Sequence, residues 1–158
     1  MTDIIWEELF GGMPDKRQLV RILIRLLAAM LLGAVVGIQR ERTHKPAGLR
    51  THMLVSLGAA LFVLAPLESG MSLDGISRVI QGLATGIGFI GGGAILKLTE
   101  QRVIEGLTSA AAIWMTAAVG AAAGLGRLPL ALLSIILTLV ILTILGQIEA
   151  KIESRKMR

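Results

Sequence analysis

The sequence predicts an all-α integral membrane protein: a bundle of five transmembrane helices, N-terminus outside and C-terminus in the cytoplasm. Three observations carry this. Of 158 residues, 54% are hydrophobic, and they come in long blocks rather than amphipathic periods, as a bilayer-spanning chain requires. The stretch 82–96 has no charge, yet it holds six glycines. Soluble helices avoid glycine at about 1 kcal/mol each, whereas membrane helices use it to bring neighbouring backbones close. Finally, ten of the sixteen Lys and Arg fall in residues 39–52, 97–105 and 149–158. Placing those segments inside sets the orientation.

In chain order, residues 1–18 open with Asp3, Glu7 and Glu8, which is not the positive start of a secretory signal. Ile5 with Leu9, and Trp6 with Phe10, are spaced four apart, which predicts a short helix lying in the interface. Gly11, Gly12 and Pro14 break it. The transmembrane domain covers 19–148. Its first span, 19–38, carries Arg21 and Arg25 in its opening turns, and Ala29, Gly33 and Gly37 form a small-residue ridge at spacing four, a packing seam. A basic loop, 39–52, turns at Pro46 and Gly48. The second span is 53–67, with 49–52 joined to the same helix. The third span, 76–96, contains the glycine stretch. After a polar connection at 97–105 comes the fourth span, 106–125, built of small residues with Gly120 and Gly124 as a pair. Gly126 and Pro129 precede the fifth span, 130–148, which is bulky and aliphatic, as for a lipid-facing helix. A charged cytoplasmic tail, 149–158, extends it by a turn or two.

Several function classes lack their residues. There is no cysteine, hence no disulfide, thiolate site or cysteine nucleophile. Two histidines leave little for zinc. No nucleophile–base pair or phosphate loop is visible. The glycines at 88–93 follow no strand, so a dinucleotide reading fails. The expectation is a protein that is not an enzyme, with no cofactor and no metal. The net charge of +5 sits at segment ends, which points to topology and anionic lipid rather than nucleic acid.

Three places could carry function. The basic loop presents Arg40, Glu41, Arg42, Lys45, Arg50 and His52 just inside the membrane. It could hold a lipid phosphate or an acidic partner, with Glu41 pairing Arg50, or serve only as a positive-inside anchor. The third helix stacks Gln81, Thr85, Gly88 and Gly92 beside Gly82, Gly86, Phe89 and Gly93, with Leu83, Ile87 and Ile90 opposite. Its small polar face is expected to pack on the fourth helix or to line a path, and its apolar face to meet lipid. On the outer side lie Arg25, Asp74 and Arg78, and an Arg25–Asp74 pair is expected. Trp114, at mid-span, is expected to pack on a small-residue face with its N–H on a carbonyl.

Four stretches together resemble the membrane domain of the MgtC/SapB family. They are Gly-Ala-Val-Val-Gly-Ile-Gln-Arg-Glu-Arg at 33–42, Lys-Pro-Ala-Gly-Leu-Arg-Thr-His at 45–52, Gly-Ile-Gly-Phe-Ile-Gly-Gly-Gly-Ala-Ile at 86–95, and 106–120 with Trp114. Arg78 and Gln81 also resemble the family's polar entry to its third helix. Gln39 departs from the pattern, standing where the family has an acid or an apolar residue. The resemblance implies five transmembrane helices in a bacterial inner-membrane, multi-pass protein linked to magnesium limitation, acid tolerance and survival in host cells. It implies the short form, without the soluble C-terminal domain of many members. It also implies a regulator that binds other membrane proteins, such as a transport ATPase or the ATP synthase. Independently, five helices with glycine-rich faces suggest a homo-oligomer. The alternative is a small transporter or channel running along the glycine face.

Overall fold

The computed structural model describes residues 1–10, 14–98, 103–148 and 151–152. Six α-helices dominate: α1 (Thr2–Phe10), α2 (Lys16–Arg42), α3 (Leu49–Glu68), α4 (Leu73–Gly93), α5 (Leu107–Gly124) and α6 (Leu128–Val140). Where a plain polar connection is expected, two short strands, β1 (Leu96–Leu98) and β2 (Val103–Glu105), form an antiparallel hairpin with Lys97 opposite Ile104. Strands of three residues are too short to leave a periodic signal in the sequence. The break at Gly11 and Gly12, and the tail other than 151–152, lie outside the described residues.

Four helices among the described residues have the length and apolar composition to cross a membrane: α2, α3, α5, and α6 with its continuation to Ile148. The glycine-rich α4 is long enough but is not among them. Asp74, Arg78, Gln81 and the glycines dilute its apolar content. The count of five spans therefore turns on this helix.

α2 is longer than the predicted 19–38. Asp15 caps its start, its Oδ1 accepting from the Gln18 N–H at 2.6 Å, as N-cap aspartates do. At the other end the Thr43 hydroxyl donates to the Gln39 and Arg40 carbonyls at 3.0 and 3.1 Å. The helix thus absorbs Arg40, Glu41 and Arg42 and leaves a loop of only 43–48. That loop is sharp enough to hold His44 and Ala47 at φ 52° and 62°, left-handed values that are costly for residues with a Cβ.

α2, α3 and α5 form the centre of the bundle, and glycine sets their spacing. A Cβ on Gly33 would lie 2.5 Å from the His52 carbonyl oxygen, and one on Gly37 2.6 Å from Leu49 Cα. A Cβ on Gly120 would lie 2.1 Å from the Ser56 carbonyl oxygen, and one on Gly124 2.6 Å from that of Ala60. These contacts run α2 antiparallel and α5 parallel to α3. The Ser56 hydroxyl fastens the crossing, donating to the Ala29 carbonyl at 2.6 Å. Ala29, Val36, Ala60, Val119 and Ala123 then form one apolar core with Ala131 and Ile135 of α6.

α4 packs by the face opposite to the one expected. Ile87 and Leu83 sit against Ala59 and Ala117, and Ile76 and Ile80 against Val63 and Ala121. The alanines of α3 and α5 leave shallow holes, and only branched aliphatic side chains fill them. α6 ends in a π-helical turn, Ile141–Leu145, before continuing to Ile148.

Candidate functional site

The first candidate site sits where α2 ends, α3 begins and α5 begins. Arg40 and His52, expected on a surface loop, are 3% and 0% exposed. Arg40 Nη2 donates to Ser109 Oγ at 2.5 Å, and Ser109 is itself 1% exposed. Ser109 stands in the first turn of α5, behind an N-cap, Gly106, that offers no side-chain hydrogen bond. Among the described residues Arg40 Nε has no partner. His52 Nδ1 lies 3.1 Å from the Gly48 carbonyl, which makes it the N–H tautomer there, while Nε2 has no partner among the described residues. Glu41 does not pair with Arg50. Its Oε2 accepts from the Leu49 N–H at 3.0 Å and so caps α3, a favourable place for a carboxylate. Arg42, Lys45 and Arg50 are exposed around this buried set.

The glycine face of α4 is the second candidate. Gln81, Thr85, Gly86, Gly88, Gly92 and Gly93 are all exposed. A Cβ at Gly82, Gly86, Gly88, Gly92 or Gly93 would meet nothing within 4 Å, whereas Gly91, on the inner side, lies against Ala110. Thr85 donates back to the Gln81 carbonyl at 2.9 Å. Phe89, on the same outward side, is 88% exposed. The expected packing of this face on α5 is therefore corrected: within one chain it faces outward. Trp114 is likewise half exposed rather than buried against small residues, because the inner side of α5 is taken by Ile113, Ala117 and Gly120.

At the opposite end of the bundle, Arg25 Nη1 donates to the Gly124 carbonyl at 3.2 Å, at the end of α5. A cation there complements the helix dipole. Asp74 and Arg78 lie exposed in the first turns of α4, so the expected Arg25–Asp74 pair is replaced by a backbone partner. A cavity of about 420 Å³ is lined by Arg17, Arg21 and Arg25 with Asp15, Gln18 and Glu68, and the Gln18 amide donates to Glu68 Oε2. Arg17 and Gln18 were not singled out from the sequence, although arginines at 17, 21 and 25 share one helix face by their spacing of four. Ser56 was also missed. A lone serine amid small residues carries no mark of its partner.

Among the described residues, no three His, Asp or Glu side chains gather as a metal site would need. What the geometry provides is a buried basic centre at one end, an arginine-lined cavity at the other, and an open small-residue helix face between.

Such an arrangement of long apolar helices around a small-residue core defines a multi-pass membrane protein. The model of the MgtC family matches residues 26–151, and the chain belongs to that family. It is 45% identical over 130 residues to Protein SrpB of Synechococcus elongatus, covering 75% of this chain and 71% of SrpB. It is 39% identical over 127 residues to Protein MgtC of Salmonella typhimurium, covering 80% of this chain and 53% of MgtC. To the putative magnesium transporter YhiD of Escherichia coli it is 36% identical over 140 residues, covering 84% and 64%. The chain thus spans about half the length of Salmonella MgtC. No solved structure matches it.

Proposed function

We propose that this chain is a bacterial inner-membrane regulatory protein that acts by binding other membrane proteins in adaptation to low magnesium, acid or host stress. The observation that carries the binding reading is the outward glycine face of α4. Gln81, Thr85 and bare backbone at five glycines form a surface poorly matched to lipid tails. A protein surface, from a second copy or from a membrane partner such as a transport ATPase or the ATP synthase, would cover it and use the close approach that glycine permits. α4 then serves as the fifth crossing, shielded by its neighbours, with the N-terminus outside and the C-terminus in the cytoplasm. The basic residues at the α2–α3 turn support that orientation.

The native chain lacks cysteine, so single-cysteine variants report cleanly. Lys45→Cys should label only from the cytoplasmic side, and label reaching it only from outside would reverse the topology. A photocrosslinker at Gly86 should capture protein in native membranes, and one at Leu54, on the lipid-facing side of α3, should not. Capture of lipid alone from Gly86 would end the binding reading. The second reading, a small transporter, is favoured by the relative YhiD of Escherichia coli, named a putative magnesium transporter. In one chain Gln81 and Thr85 face away from the interior, so a path along them would form only between copies. Magnesium flux in proteoliposomes that Gln81→Ala abolishes would favour that reading.

A further inference from the structure

We propose that the first turn of α5, together with Arg40 and Ser109, is a binding site for a phosphate group. The starting point is an electrostatic mismatch. The first turn of a helix carries unsatisfied N–H groups and roughly half a positive charge. Acids belong there, and cations belong at the other end. Here the side chain that reaches the first turn is a guanidinium, 3% exposed and bonded to Ser109 Oγ at 2.5 Å. Its Nε has no partner among the described residues, and Gly106 offers no side-chain cap. Two sources of positive potential are thus stacked in a region of low dielectric.

The nearest acid in sequence, Glu41, is committed elsewhere, since its Oε2 caps α3 at the Leu49 N–H. Among the described residues Arg40 makes no ion pair. Removing one partner of a buried charge pair is strongly destabilising because it leaves a charge uncompensated, so a buried guanidinium bonded to a neutral serine calls for a counter-ion. A phosphate oxygen accepting from Arg40 and from the α5 N–H groups supplies it, in the way helix N-termini and arginine bind phosphate elsewhere. Leu107 and Thr108 are exposed, so the helix end is open to the surface. Arg42, Lys45 and Arg50 surround the approach and raise the local anion concentration. The phosphate can belong to a lipid headgroup or be a free ion. The site does not rest on the partner-binding reading, because a chain that captures no protein would still hold the anion.

The test uses the full chain in nanodiscs of phosphatidylcholine in phosphate-free buffer. One arm titrates inorganic phosphate, and the other adds phosphatidylglycerol to the bilayer. Bound anion is read as a rise in the thermal midpoint and, for the first arm, as radiolabelled phosphate retained per chain. The wild type should respond to at least one probe. Phosphatidylglycerol alone would assign a lipid headgroup, and inorganic phosphate a free anion. Arg40→Gln should weaken the response by at least ~tenfold, as loss of a charged hydrogen bond does. Ser109→Ala, which keeps every charge, should weaken it by a smaller factor and covers the case in which Arg40→Gln fails to fold. Arg42→Gln should weaken the response less than Arg40→Gln does and flatten its salt dependence. No response in the wild type would overturn the site. A response unchanged in both Arg40→Gln and Ser109→Ala would overturn it equally.

Discussion

Replacing Gly120 with alanine adds one methyl group at the tightest helix crossing in the molecule. The new Cβ would stand 2.1 Å from the Ser56 carbonyl oxygen and 2.8 Å from Ser56 C and Cα. All three are backbone atoms, so no side chain can swing aside. α3 and α5 must part by about 1 Å to restore ordinary contact, and overpacking of this kind costs about 1–3 kcal/mol. The same movement strains the 2.6 Å bond from Ser56 Oγ to Ala29, for about 1 kcal/mol more. Alanine's better helix propensity returns about 1 kcal/mol. The net expectation is a loss of about 1–3 kcal/mol. Gly86→Ala is the matched control. Its Cβ meets nothing within 4 Å, so only the propensity term acts, and the variant should be neutral or more stable by up to about 1 kcal/mol. Both are measured as thermal unfolding of the purified protein in detergent, followed by circular dichroism. A Gly120→Ala protein that melts at or above the wild type would refute the backbone-contact account of the core. A Gly86→Ala protein as damaged as Gly120→Ala would show that the α4 face is already covered in the isolated protein.

Other substitutions test the remaining contacts. Arg25→Ala removes the cation at the end of α5 and should cost about 1–2 kcal/mol, with Arg25→Lys recovering part of it in the same melting assay. Glu41→Ala uncaps α3 and should cost about 1 kcal/mol, and hydrogen exchange at the Leu49 amide should speed up. Gln39→Leu should change stability by less than about 1 kcal/mol. The Gln39 amide reaches the Leu142 carbonyl only at 3.4 Å, and its Oε1 has no partner among the described residues.

The sequence made some of this legible and hid the rest for definable reasons. The ridge of Ala29, Gly33 and Gly37 and the pair Gly120 and Gly124 could be read as packing seams, because small residues at spacing four fall on one helix face and lipid offers them no advantage. The glycines of α4 follow the same spacing yet point outward. Periodicity shows that a face exists but not which neighbour takes it, and here Leu83 and Ile87 compete successfully for the alanine-lined holes of α3 and α5. Trp114 faces outward for the same reason. The partners of Arg25 and Glu41 are a backbone carbonyl and a backbone N–H, which every residue carries, so nothing in the side-chain sequence marks them. Arg40 looked like a member of a basic loop because the caps at Asp15 and Thr43, which lengthen α2 and draw it into the bundle, are single short side chains.

The glycine contacts among α2, α3 and α5 also have a mechanical consequence. Spacing held by backbone atoms cannot be relaxed by a change of rotamer, so these three helices form a stiff frame. α4 meets that frame through Ile76, Ile80, Leu83 and Ile87 and, at Gly91, against Ala110, where an added Cβ would still have 3.6 Å. It is bounded by Gly70 ahead of it and, beyond the β-hairpin, by Gly106, at φ 74° and 94°, left-handed values that glycine adopts without strain. α4 is therefore held to the frame less tightly than α2, α3 and α5 are held to one another. Ser109, three residues beyond Gly106, ties the start of α5 to Arg40 at the end of α2.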